Sequence, residues 1–126
     1  MASLESVDVG RLVEELAREL DEARTRKRQA ERMLERIAGM MRALGLKEAC
    51  DGEARAQLGD DGGLHYTADF WGLKTLHDRL AAARYYHELL ADLDELRPYL
   101  SYSALEKAEL VKQHLDRLLE SLKCKG

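Results

Sequence analysis

Apolar residues recur along the first part of the chain in a 4-3-4-3 rhythm. They are Val9, Val13, Leu16, Leu20, Ala23, Lys27, Ala30, Leu34, Ile37, Met41 and Leu44, with Lys27 as the one polar intrusion. A mean spacing of ~3.5 residues keeps one helical face turned toward a partner along its whole length. The pattern therefore predicts a coiled-coil-like helix over about 9–44, with Asp8 as N-cap and Gly45 as the stop. At ~1.5 Å per residue it is about 54 Å long. A helix of that length in a small domain either projects or is covered by more than one partner.

The rhythm then stops, and Gly52, Gly59, Gly62 and Gly63 punctuate the chain. Alternating apolar positions flank the turn sequence GDDGG: Ala54, Ala56 and Leu58 before it, Leu64, Tyr66, Ala68 and Phe70 after it. Pairing Leu58 with Leu64 places Ala56 opposite Tyr66 and Ala54 opposite Ala68, so the apolar residues share one face. Arg55, Gln57, His65 and Thr67 fall on the other. The insert at about 47–70 reads as a small β-hairpin, or as a loop closed by a tight turn.

Helical spacing returns with Leu73, Leu76, Leu80, Ala83 and His87, then drifts to Leu89, Leu90, Leu93 and Leu96. This second helix, about 71–96, has Asp69 as its cap and Pro98 as its end. A third helix, about 103–123, opens on the capping box Ser103-Ala-Leu-Glu106 and carries Ala104, Ala108, Val111, Leu115, Leu118 and Leu122 on one stripe. The short connection between them predicts an antiparallel helical hairpin. The expected fold is one mainly all-α domain over 1–126: a long helix, a small β insert and a helical hairpin.

Composition refines this picture through charge. The chain has 20 Lys and Arg against 24 Asp and Glu, a formal charge of −4, which excludes a globally basic nucleic-acid coat. The excess is local. Residues 47–71 hold two basic and six acidic residues, while the segments on either side are each balanced at nine and nine. The first helix is balanced but polarised, −5 over 1–22 and +5 over 23–46. The helix dipole favours that order only within a terminal turn. An antiparallel copy of the same helix would match the two blocks and set Lys27 near the centre, where a polar seam residue fixes register.

Catalytic signatures are missing. The sequence has no P-loop, GxSxG or dinucleotide fingerprint, and no HExxH or Glu-x-x-His pair for a metal, so no cofactor is expected. His87 lies on an apolar stripe and reads as a core or interface residue. Asp60 and Asp61 suit a polar turn better than a calcium loop. Arg24, Arg28, Arg32 and Arg36 form an i+4 row that could follow phosphates, but Glu31 and Glu35 interrupt it and no aromatics interleave. Two cysteines and an N-terminus without a basic start and apolar run point to a reducing cytoplasm, and no apolar stretch is long enough for a membrane span. In an up-down-up arrangement the ends of the first and third helices share a pole, and a Cys50–Cys124 disulfide becomes geometrically conceivable.

The expectation is a non-enzymatic interaction or scaffold protein. It homodimerises through the seam of the first helix and presents an acidic hairpin, with Asp60, Asp61, Tyr66, Phe70 and Trp71, to an unidentified protein. A nucleic-acid-associated factor using the Arg row is the alternative, and a small bundle enzyme the second.

Overall fold

The computed structural model describes residues 8–125. Three helices and a three-stranded antiparallel sheet follow in the order α1 (Val9–Leu44), β1 (Glu48–Asp51), β2 (Ala54–Leu58), β3 (Leu64–Thr67), α2 (Phe70–Glu95) and α3 (Tyr102–Ser121). A 3-10 turn, Arg97–Tyr99, links the last two helices. The bounds of α1 match the apolar rhythm. The Asp8 carboxylate accepts from the Arg11 N–H at 3.2 Å. At the other end Gly45 takes φ 70°, a left-handed conformation that suits glycine, and its N–H reaches the Met41 and Arg42 carbonyls.

In the sheet, Leu58 pairs with Leu64 and Ala56 with Tyr66, and the ladder ends at Arg55–Thr67, short of Ala68. The additional strand β1 pairs Ala49 with Ala56 through a two-residue turn opened by Gly52 at φ 59°. Ala49, Ala54 and Ala56 are 0–4% exposed, so the buried face of the sheet is built of methyl groups that let α2 approach closely. A Cβ added at Gly72 of α2 would stand 3.3 Å from the Ala54 Cβ.

The sheet also carries the chain back along α1. At the β2–β3 turn the Arg42 guanidinium donates to the Gly62 carbonyl at 2.7 Å, whereas Tyr66 near the far end of β3 and Phe70 just beyond it stand near Ala23 and Ala30. Helix α2 thus begins beside the middle of α1. It does not continue toward the α1 N-terminus, where Leu16 and Leu20 are 68% and 51% exposed. Instead Leu76, Leu80 and Ala83 share the core with Ile37, Met40 and Met41. The up-down-up expectation is corrected on this point: α1 and α2 run in the same sense, with the sheet as the crossover. The basic first half of α2 therefore lies along the basic half of α1. Local pairs relieve the repulsion: Lys74 with Asp78 at 3.7 Å, Arg84 with Glu88 at 2.9 Å, and Arg79 with Asp51 at 2.8 Å.

Arg79 also meets the Ser121 hydroxyl, and Tyr86 packs edge-on against His114. Residue numbers thus rise along α2 as they fall along α3. The end of α3 is held on β1: the Cys50 N–H donates to the Leu122 carbonyl at 2.7 Å, Leu122 is 1% exposed, and Cys50 and Cys124 are joined by a disulfide with Cα atoms 4.9 Å apart. Helix α3 begins earlier than expected. Its cap is Ser101, whose hydroxyl accepts from the Ala104 N–H at 3.1 Å, so Ser103 lies inside the first turn and Glu106 closes no capping box.

Candidate functional site: a protein interface on helix α1

The seam of α1 has two fates. From Ile37 to Met41 it is buried in the chain's own core, with Ala30, Leu34 and Leu44 packed at the edge. From Val9 to Leu20 nothing covers it: Val9, Val13, Leu16 and Leu20 are 59%, 58%, 68% and 51% exposed, and Leu12 beside them 44%. Ala23 and Lys27 are exposed as well. This free half is stitched on its polar side by Arg11–Glu15 at 3.2 Å and by Arg26 reaching Glu19 at 3.1 Å and Glu22 at 3.4 Å. The two i,i+4 pairs, Arg11–Glu15 and Arg26–Glu22, supply about 0.2–0.5 kcal/mol each. Continuity with the anchored half spares the nucleation cost that makes short isolated helices marginal.

Where the stripe meets the body it runs into a hollow of about 270 Å³. One wall is the seam itself, Ala23, Lys27 and Ala30; the other is Tyr66, Phe70 and Leu73. Tyr66 is 48% exposed although Ala56 opposite it is fully buried. Trp71 is 65% exposed and packs edge-on against Phe70, with centroids 5.1 Å apart.

The acidic insert is largely occupied by its own fold. Asp51 holds Arg79, and Glu48 accepts from Arg55 at 3.3 Å and from Gln57 at 3.4 Å. Asp61 accepts from the Gly63 N–H at 2.9 Å within the turn, and Asp69 caps α2 through the Gly72 N–H at 2.7 Å. Glu53 and Asp60 remain as solvent-facing carboxylates. Arg24, Arg28, Arg32 and Arg36 are all exposed, Arg24 toward Asp21 and Arg28 toward the Thr25 hydroxyl. Among the described residues no group of three or more His, Cys, Asp or Glu side chains gathers in a metal-binding arrangement.

Two features escaped the sequence reading. The buried histidine is His77, 8% exposed, with Nδ1 3.0 Å from Asp78 and Nε2 without a partner; His87 is exposed. Helices α2 and α3 also outrun α1. Beyond Leu44 they leave a groove of about 510 Å³ lined by Leu90, Leu93, Leu100, Leu105 and Ala108. Helix lengths carry no signal for this, since α1 is the longest of the three; the overhang arises because α2 begins beside the middle of α1. No protein family model, curated protein or solved structure matches the chain.

Proposed function

We propose that the chain is a non-catalytic, cytoplasmic protein-interaction module or scaffold. It homodimerises through the free half of α1 and presents the β2–β3 turn at Asp60 and the start of α2 at Trp71 to a protein partner. The observation that carries this reading is the contiguous row Val9, Val13, Leu16 and Leu20, each more than half exposed on a helix that leaves the body. Single exposed leucines need no explanation, but a continuous stripe marks an interaction surface.

Fully covering a Val or Leu yields about 1.5–3 kcal/mol, so a half-exposed one yields about 1 kcal/mol. Five positions on each of two chains give about 10 kcal/mol, inside the 4–15 kcal/mol that association costs. Flanking contacts then decide the net affinity, and the dimer is concentration-dependent.

Sedimentation velocity across a micromolar concentration series tests the reading. The expected result is a monomer–dimer equilibrium that Leu16→Glu shifts to monomer with unchanged helical content. A monomer at every concentration, or a dimer indifferent to Leu16→Glu, overturns it.

A further inference from the structure

Resting on that reading, we propose that the two copies pair antiparallel in one register: Leu20 against the partner's Ala23, Leu16 against the partner's Lys27, Val13 against the partner's Ala30 and Val9 against the partner's Leu34. In that register the first turns of each α1 fill the other copy's hollow at Tyr66 and Phe70.

Burial sets one limit. Ile37 and Met41 are 0% exposed, so the unbroken run of seam residues that retain surface goes from Val9 to Leu34. Their spacing, 4-3-4-3-4-3-4, reads the same in both directions, so a reversed copy meets seam residue with seam residue along the whole free length. A deeper overlap, such as one centred on Lys27, would require Ile37 and Met41 to leave the core.

Charge sets the other limit. Residues 8–21 hold five acids and two bases, and residues 22–34 hold five bases and two acids. The proposed register lays the first block on the second at both ends. It also sets Glu19 across the seam from the partner's Arg26, once in each direction, so that the Arg26–Glu19 pair held within each helix at 3.1 Å can be exchanged between copies. Sliding apart by one heptad pairs Leu16 with the partner's Leu20 and lays residues 14–22, five acids and one base, on the same block of the partner, whereas in the proposed register that block meets residues 21–29, four bases and two acids.

The hollow supplies the seat. Ala23, Ala30, Tyr66, Phe70 and Leu73 of its lining continue the stripe, with Arg26, Lys27 and Asp69 as the charged members; the aliphatic stems of Arg26 and Lys27 can pack while their charged ends reach water. The incoming Val13 and Leu16 are the residues that lie at that level.

Distances between spin labels test the register. Both native cysteines are held in the disulfide, so Arg11→Cys, Arg18→Cys and Thr25→Cys each give one labelling site per chain. All three lie on the outer face of the helix. From ~1.5 Å rise per residue, labels at 18 and at 25 stand about 10 Å from their copies along the axis, and labels at 11 about 32 Å. The outer faces stand roughly 20 Å apart across the pair, which adds in quadrature, so the expected result is equal distances at 18 and 25 and a distance about 15 Å longer at 11. A shortest distance at 18 alone, a shortest distance at 25 alone, or equal distances at all three sites overturns the register while leaving the dimer standing. A monomer in sedimentation overturns both.

Discussion

Replacing Cys50 and Cys124 together by serine removes the cross-link between β1 and the end of α3. The two positions are 74 residues apart. For a closed loop of that size the chain-entropy relation gives about 4.5 kcal/mol at 25 °C, the amount by which the bond restricts the unfolded ensemble. A domain of this kind has about 5–15 kcal/mol in total, so the loss is a third of its stability or more. The folded state itself should barely change. Leu122 is still buried, the Cys50 N–H still meets the Leu122 carbonyl as a backbone contact, and Arg79 still spans Asp51 and Ser121.

Urea unfolding followed by far-UV circular dichroism separates these effects. At a slope of about 2 kcal/mol/M the midpoint falls by about 2 M, with the native spectrum preserved. Reductant added to the parent protein should reproduce the shift. Identical midpoints for the parent and the double serine variant would refute the loop-closure argument. So would loss of exchange protection confined to α3 with α1 and α2 still protected, because the bond would then be holding α3 in place. The same thiol state bears on location. A cytoplasmic chain is kept reduced by the glutathione and thioredoxin systems, and a closed Cys50–Cys124 pair pulls against that; thiol titration of protein taken from its source, denatured without reductant, decides between them.

Three further outcomes follow from packing. Ala56→Leu forces a larger side chain between the sheet and α2, where Ala56 is 0% exposed, and should cost about 1–3 kcal/mol in the same urea assay. His77→Leu removes the partnerless buried Nε2 together with the Nδ1–Asp78 contact at 3.0 Å. Asp78 is exposed and can turn to water, so the net should be a gain of about 1 kcal/mol; a loss instead would mean that the Nδ1–Asp78 contact outweighs the unsatisfied Nε2. In hydrogen exchange, amides of residues 13–23 should exchange faster than those of residues 34–41 in dilute protein and slow as concentration rises. Concentration-independent protection there would argue against self-association.

Much of the fold was legible because its signals are local. Asp8, Gly45 and the rhythm between them define α1, and GDDGG with its flanking alternation defines the β2–β3 register. Strand β1 was hidden because Glu48–Asp51 buries only Ala49 fully and shows no alternation; the Asp51-Gly52 pair was the available clue. Ser101 and Ser103 are both competent caps by sequence. The 3-10 turn at Arg97–Tyr99 leaves Ser101 extended at ψ 157° and ready to cap, so the helix starts there. The direction of α2 relative to α1 is a long-range property. It depends on how far the sheet carries the chain back, and no single segment encodes it.

The candidate site shows the same boundary between local and long-range information. Periodicity identifies which face of α1 is apolar but not what covers it, and one unbroken seam serves the chain's own core from Ile37 onward and solvent before Ala23. Charge misleads in a related way. Six acids in 47–71 suggested a surface offered to a partner, yet Asp51, Glu48, Asp61 and Asp69 are engaged by Arg79, Arg55, a turn amide and a helix start. The acid that composition counts as excess is mostly structural. The polarity of α1 is different: its acidic block has only two bases among residues 8–21, no second element packs over Leu16 or Leu20, and its compensating charge lies further along the same helix. Three of its acids are paired along the helix, Glu15 with Arg11, Glu19 with Arg26 and Asp21 with Arg24, so what α1 leaves open to a second copy is the apolar stripe through Leu16 and Leu20, with the polarity setting the direction in which that copy lies.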